Sequence, residues 1–195
     1  SASGVKKIKI DGLFSDWQDV KPEYRATRGN TIHRNSKGWG KYVYTNTTGR
    51  NDIVSAKVAR DSRNLYFYVA CAESITQPCS KSWLNLFIDI DRKRQTGWEG
   101  YDYMISGHSA NGKATLLRSD NGWNWSKVAD VEYRVDGNSL ELVIPRKSLG
   151  LIRGDAVEFE FKWVDNMQRE GDVYEFYLNG DAAPIGRFNF LYSTK

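Results

Sequence analysis

Segment after segment of this chain places apolar residues at every second position, a rhythm that suits strands and that no helix could bury on one face. Residues 55–72 read SAKVARDSRNLYFYVACA, where Leu65, Phe67, Val69 and Cys71 alternate with Tyr66, Tyr68, Ala70 and Ala72 behind a polar turn at residues 61–64. This is a hairpin whose second strand is apolar on both faces, as a central strand must be. Residues 83–90 (WLNLFIDI) set Leu84, Leu86, Ile88 and Ile90 against Asn85, Phe87 and Asp89. Strands are expected at 101–105 and 113–118, around the turn-rich GHSANG, and at 131–135 and 139–144, joined by Asp136-Gly137-Asn138. Pro145 ends that pair, and RKSLG at 146–150 reads as one helical turn closed by Gly150. Residues 156–164 carry Val157, Phe159, Phe161 and Trp163 on one face and Glu158, Glu160 and Lys162 on the other, and strands at 173–178 and 187–192 finish the chain. Short strands with no long amphipathic helix between them predict an all-β fold, an antiparallel β-sandwich.

The 195 residues hold no solenoid or propeller repeat and no Pro/Ser-rich linker. One domain is therefore expected over residues 8–195, with residues 1–7 read as a tag remnant or linker. No apolar run approaches the roughly 18 residues of a membrane span. The net charge of +4 is spread along the chain, and its tightest cluster, Arg92, Lys93 and Arg94, falls in a turn. A nucleic-acid surface needs a basic stripe with stacking aromatics beside it, so no nucleic-acid partner is expected. Cys71 and Cys79 are either a disulfide or two thiols, and the spacing does not choose between them. With no Cys-x-x-Cys, and with His33 and His108 far from each other and from the cysteines, zinc is not expected.

Read in order, the residues resemble a known family. Ile10-Asp11-Gly12 with Asp16-Trp17, the hairpin bearing Asn64-Leu65-Tyr66-Phe67-Tyr68-Val69, Leu86-Phe87-Ile88-Asp89, and Thr96-Gly97-Trp98-Glu99-Gly100-Tyr101-Asp102 follow the sequence of family 9 carbohydrate-binding modules. Phe161-Lys162-Trp163 with Asp165-Asn166, then Asn179-Gly180-Asp181-Ala182-Ala183-Pro184 and Gly186-Arg187-Phe188-Asn189-Phe190, look like the closing strands of family-9-like modules from Bacteroidetes glycan-degrading proteins. The resemblance covers residues 8–192 or so and implies a β-sandwich that holds sugar between two clamping tryptophans, with structural calcium nearby. The clamp positions differ here. The first falls at Cys79, with Trp83 the nearest indole, and the second at Asp181 and Ala182.

A sugar ring shows an apolar C–H face ringed by hydroxyls, so its site needs a flat exposed aromatic beside planar hydrogen-bonding groups. Trp123 and Trp125, spaced by two in a Gly/Asn-rich loop with Asn121 and Asn124, make either a stacking platform or a cap folded over one end of the sandwich. Trp98, after Gly97, stacks on sugar or braces a fixed loop; Trp83 is expected on the face of Asn85, lining a groove. Trp17 and Trp163 are expected in the core, and Trp39 sits in a polar loop. The candidate ligand-binding set is thus Trp123, Trp125, Trp98, Trp83, Asn85 and Asn124. Asp89, Asp91 and Asp102 form the one metal-like carboxylate group; they hold Ca2+ or accept bonds from the backbone of the loop they flank.

These features predict a non-catalytic module that targets an attached or partner enzyme to a polysaccharide or oligosaccharide, in a secreted, periplasmic or cell-surface setting. The alternative is a structural or interaction module of the same fold without a sugar site. No nucleophile elbow or phosphate loop supports catalysis or a nucleotide. Met104 and His108 invite comparison with haem-binding sandwiches, but nothing else supports haem.

Overall fold

Most of the alternating segments become strands, and eleven strands join into one antiparallel sheet that nearly closes on itself. A computed structural model describes residues 1–26, 34–37, 43–46, 50–79, 82–176 and 181–195; His33, Trp39, Asn179 and Gly180 lie outside them. Among the described residues the strands are β1 (Tyr24–Arg25), β2 (Arg34–Lys37), β3 (Val43–Asn46), β4 (Ile53–Arg60), β5 (Asn64–Cys71), β6 (Asn85–Asp89), β7 (Tyr103–Ser106), β8 (Lys113–Ser119), β9 (Trp125–Asp136), β10 (Ser139–Pro145), β11 (Glu158–Asp165), β12 (Asp181–Ala183) and β13 (Phe190–Ser193). The fold is all-β, as the alternation requires.

The strand order is β1-β4-β5-β10-β9-β8-β7-β6-β11-β12, with β13 on β11 after β12 and a separate β2–β3 pair. β9 serves both layers of this sheet. Its last residues, Tyr133 to Asp136, pair with β10, while Trp125 to Glu132 pair with β8 across a bulge at Leu116/Leu117. Across the open edge, the Tyr24 hydroxyl donates to the Leu191 carbonyl at 2.6 Å and its ring meets Phe161 and Phe190.

Between the layers lies the main core: Val58, Phe67, Leu140 and Leu142 on one side face Leu86, Ile88, Phe159, Phe161 and Trp163 on the other. Both outer faces are also covered. Ile8, Trp17 and Val20 of the N-terminal segment pack on Ala59 and Tyr66, while Trp98, Tyr101 and Phe176 pack on Phe87 and Met104 of the second layer. Trp17 and Trp163 are buried, as expected.

The N-terminal cover is fastened by one side chain. Glu141 of β10 is fully buried and accepts the amide hydrogens of Asp11 and Gly12, both at 2.9 Å, and the Trp17 indole N–H at 2.8 Å. This explains why Ile10-Asp11-Gly12 and Asp16-Trp17 belong together. The turn before β5 is held likewise by Asp61, which accepts from Arg63 N, Asn64 N and the Tyr66 hydroxyl. Gly150, with φ of 69°, closes the short 3₁₀ turn Arg146–Leu149.

Of the strand expected at residues 173–178, the described part, Val173–Phe176, is not a strand. Val173–Phe176 is a 3₁₀ turn, with Tyr174 N donating to Asp172 Oδ1. Val173 and Phe176, three apart, both turn toward the outer aromatic cluster, so the spacing that matters there is three rather than two. Lys162 carries the polar face of β11 into the interior: it is fully buried, donates to the Pro184 carbonyl, and lies 5.4 Å from the Phe176 ring centre. Burial pushes its amine down to about 7.

Replacing Glu141 with alanine leaves two amides and an indole N–H without their acceptor. Urea unfolding is expected to show a loss of about 3 kcal/mol, with Trp17 fluorescence shifting to the red at lower denaturant than the rest of the fold unfolds.

Candidate functional site

Aromatic side chains gather on the outer face of the second layer because the strands there are apolar on both sides. All five residues of β6 and all four of β7 are buried, so their outward side chains, among them Phe87 and Met104, need a cover. The 96–102 loop supplies part of it as a small hairpin. Trp98 and Tyr101 exchange backbone hydrogen bonds at 2.9 and 2.8 Å, and a side chain on Gly97 would meet the Tyr101 carbonyl at 2.1 Å. Both rings then tuck under, Trp98 packing 5.5 Å from Phe87 and 5.8 Å from Phe176. Trp98 is 5% exposed and braces the loop; it offers no face to a sugar.

Trp123 and Trp125 complete the cover incompletely. Both are partly exposed, the only such indoles among the described residues. They line one cavity of about 340 Å3 together with Asn85, Met104, Thr115 and Glu170. That volume lies at the small end of the range for ligand sites, about 300 to 1,000 Å3. Their rings stand 5.4 Å apart at 88°, so they form a corner instead of a coplanar platform or a parallel clamp. Trp123 makes an edge-to-face contact with Trp98 at 4.6 Å, and the backbone of residue 171 lies directly on its indole: a Cβ at Gly171 would sit 2.9 Å from Cγ.

The cavity wall contains polar atoms left unsatisfied. Asn85 is 4% exposed, yet its Oδ1 has no hydrogen-bond partner, and the buried Trp125 Nε1 has no acceptor. Buried polar groups are ordinarily paired, so one unfilled acceptor and one unfilled donor on the same wall are what a hydroxyl-bearing ligand would satisfy. Asn124, by contrast, is exposed, and its amide donates to the Asn121 carbonyl at 2.8 Å; it shapes the loop and does not line the cavity. The structure adds Thr115, Ser106 and Glu170 to the wall. These come from other strands and a distant loop, and no local pattern in the sequence joins them to Trp125.

Trp83 does not join this cavity. It is fully buried in the main core, its Nε1 donating to Thr76 Oγ1 at 3.0 Å, and it lines a separate cavity of about 360 Å3 with Thr76, Asn111, Tyr133 and Arg134. Leu84 has a left-handed φ of 41°, held by a hydrogen bond from its N–H to Asp165 Oδ1. That kink breaks the alternation, so Trp83 and Asn85 do not share a face. Asp165 itself is buried and ion-paired with Arg50 at 2.9 Å. Cys71 and Cys79 are both free thiols, the first buried and the second exposed beside Arg50.

The three aspartates do meet, with one ligand atom from each of Asp89, Asp91 and Asp102 within 4.8 Å of the others. Asp91 accepts from Lys93 N and the Thr96 hydroxyl, and Asp102 from Ile90 N, so these two brace the loop. Asp89, 3% exposed, has an Oδ1 with no partner. Burial first, then its Asp91 contact and the Asp102 charge, push Asp89 up to about 7. Three converging carboxylates with one orphaned oxygen fit a hard divalent cation.

Met104 and His108 do not converge. Met104 lines the tryptophan cavity, whereas the His108 ring packs 4.9 Å from both Trp83 and Tyr133. Comparison of the chain with models of known families, with curated proteins and with solved structures finds no match in any of the three.

Neither ring nitrogen of His108 has a partner, and burial pulls its pKa down to about 3. The unfolded chain takes up this proton near pH 6.5, the folded one only near 3, so His108 favours the folded state fully above pH 6.5 and loses that contribution as pH falls toward 3. A His108→Gln variant, compared with the parent by denaturant unfolding, is expected to lose up to about 1.4 kcal/mol less per pH unit in that window.

Proposed function

We propose that this chain is a non-catalytic carbohydrate-binding module of the family-9-like kind, and that its sugar site is the cavity between Trp123 and Trp125. The observation that carries this reading is the pairing of two half-open indoles with the unpartnered Asn85 Oδ1 and Trp125 Nε1 on one wall. A pyranose laid against one indole meets the other at its edge, and its hydroxyls reach an acceptor at Asn85 and a donor at Trp125. A right-angled corner grips one ring from two sides, which differs from a sandwich between parallel rings. In this reading the chain is exported, and sits beside a catalytic domain that it holds to its polymer. No helix among the described residues is long and apolar enough to cross a membrane.

The second reading, a structural module without a sugar site, draws on the packing of Trp123 against Trp98 and Gly171. Trp125 separates the two. Titration with a panel of plant and host oligosaccharides, followed by tryptophan fluorescence, is expected to give a saturable change for at least one sugar. Trp125→Ala and Asn85→Ala are each expected to weaken it on the order of tenfold while folding is retained. Silence across the panel favours the structural module.

The same reading places Ca2+ at Asp89, Asp91 and Asp102, where it would tie the 92–100 loop to the ends of β6 and β7. Calcium at a hundredfold excess over its dissociation constant is expected to stabilise the domain by about 2.7 kcal/mol, chelator to reverse this, and Asp89→Asn to abolish it. An identical melting temperature in calcium and in chelator rejects the ion.

A further inference from the structure

The tryptophan cavity uses one face of the second layer, and a chemically different cavity opens elsewhere. Asn64 opens β5 and Pro145 closes β10, and these two residues pair with one another. Asn85 belongs to the other end: it pairs with Val164, Asp165 pairs with Asp181, and Asp181 accepts from Ile53, which faces Cys71 at the far end of β5. At the Asn64 end lies a cavity of about 470 Å3 lined by Arg63, Arg146, Lys147 and Arg153 with Pro145 and Leu151. Its lining contains four cationic side chains and no carboxylate.

The cavity is built, not a chance gathering of surface lysines. Arg146 is 2% exposed, and its guanidinium is held by backbone carbonyls alone: Nε and Nη2 donate to the Asp61 carbonyl at 3.1 and 2.8 Å, Nη1 to the Asp155 carbonyl at 2.7 Å. Burial pulls the Arg146 guanidinium down and the charges of Asp61 and Asp155 offset only part of that, without an ion pair, so an anion in the cavity would relieve the remainder. The two loops forming the rim are fixed to each other, Arg146 N donating to the Arg63 carbonyl at 2.8 Å and Gly154 N to the Ser62 carbonyl at 2.9 Å. The acids nearby do not close on the cations. Asp61 spends its carboxylate on the turn and the Tyr66 hydroxyl, and no ion pair to Arg63, Arg146, Lys147 or Arg153 occurs among the described residues. Arg63, Lys147 and Arg153 are exposed around the mouth.

We infer that this cavity is a second binding site, for an oxyanion (a carboxylate or a sulfate ester) carried on a small, partly apolar body such as a sugar ring. Guanidinium groups present paired N–H donors that match the planar or tetrahedral oxygens of such groups, and Pro145 and Leu151 supply an apolar wall for the body that bears them. The inference does not rest on the proposed sugar site, which lies at the other end of the β5–β10 pair and offers no cation on its wall.

Calorimetric titration of the intact chain with glucuronate, glucose 6-sulfate, inorganic sulfate and neutral glucose tests it. Glucuronate or glucose 6-sulfate is expected to bind, more weakly as salt is raised, with glucose silent; the better of the two identifies the anion class, and inorganic sulfate shows what the charge contributes without the ring. The combined Arg63→Ala, Lys147→Ala and Arg153→Ala variant is expected to weaken binding on the order of tenfold or more at an unchanged melting temperature. Removing the same charge elsewhere, at the ion-paired Lys113, Arg118 and Lys127, is expected to leave binding intact. Arg153→Gln alone serves if the triple variant does not fold. No heat from either anionic sugar, equal binding by glucose, or equal loss in both charge-removal variants overturns the inference.

Discussion

The second layer of this sheet is apolar on both faces, and most of what is distinctive about the protein follows from the need to cover the outer one. Phe87 and Met104 point away from the main core, and exposed they would leave a broad oily surface in water. The cover is assembled from loops: the 96–102 hairpin, the 3₁₀ turn at Val173–Phe176, and the segment running into β9. Where those loops meet edge to edge instead of overlapping, a gap remains, walled by two indoles. The candidate site is therefore the seam of a hydrophobic cover, and its shape is set by which loop stops where.

Burial on both faces also explains the polar residues found deep in the layer. Asn85, Lys162 and Asp165 occupy buried strand positions, so each needs a partner inside the fold or in a cavity that reaches it. Asp165 finds Arg50 and the Leu84 amide, and Lys162 finds a carbonyl and a ring face. Asn85 leaves one oxygen over. The contrast among the three is what singles out Asn85.

The strand ladder was legible because period-two alternation is a property of single segments: the β4–β5 hairpin, β10 with its Pro145 stop, and the Gly150 closure all read directly from a few neighbouring residues. The candidate site was legible in part, through the Trp123 and Trp125 spacing and the strand position of Asn85. What the sequence concealed depended on backbone excursions or distant partners. A single left-handed residue, Leu84, sent Trp83 to the core. Asp172 capped a 3₁₀ turn where alternation suggested a strand. The backbone that seats Trp123 is that of Gly171, remote in sequence, where a Cβ would sit 2.9 Å from Cγ.

β9 begins at Trp125 and runs unbroken from one layer into the other. Tension applied at that indole enters the first residue of a strand laddered to β8 and then to β10, with one break at the bulge beside Val128, and it is shared as shear across two ladders before any loop is stretched. A pull in this direction is opposed by backbone pairing in both layers, so opening the fold along it requires both ladders to slide.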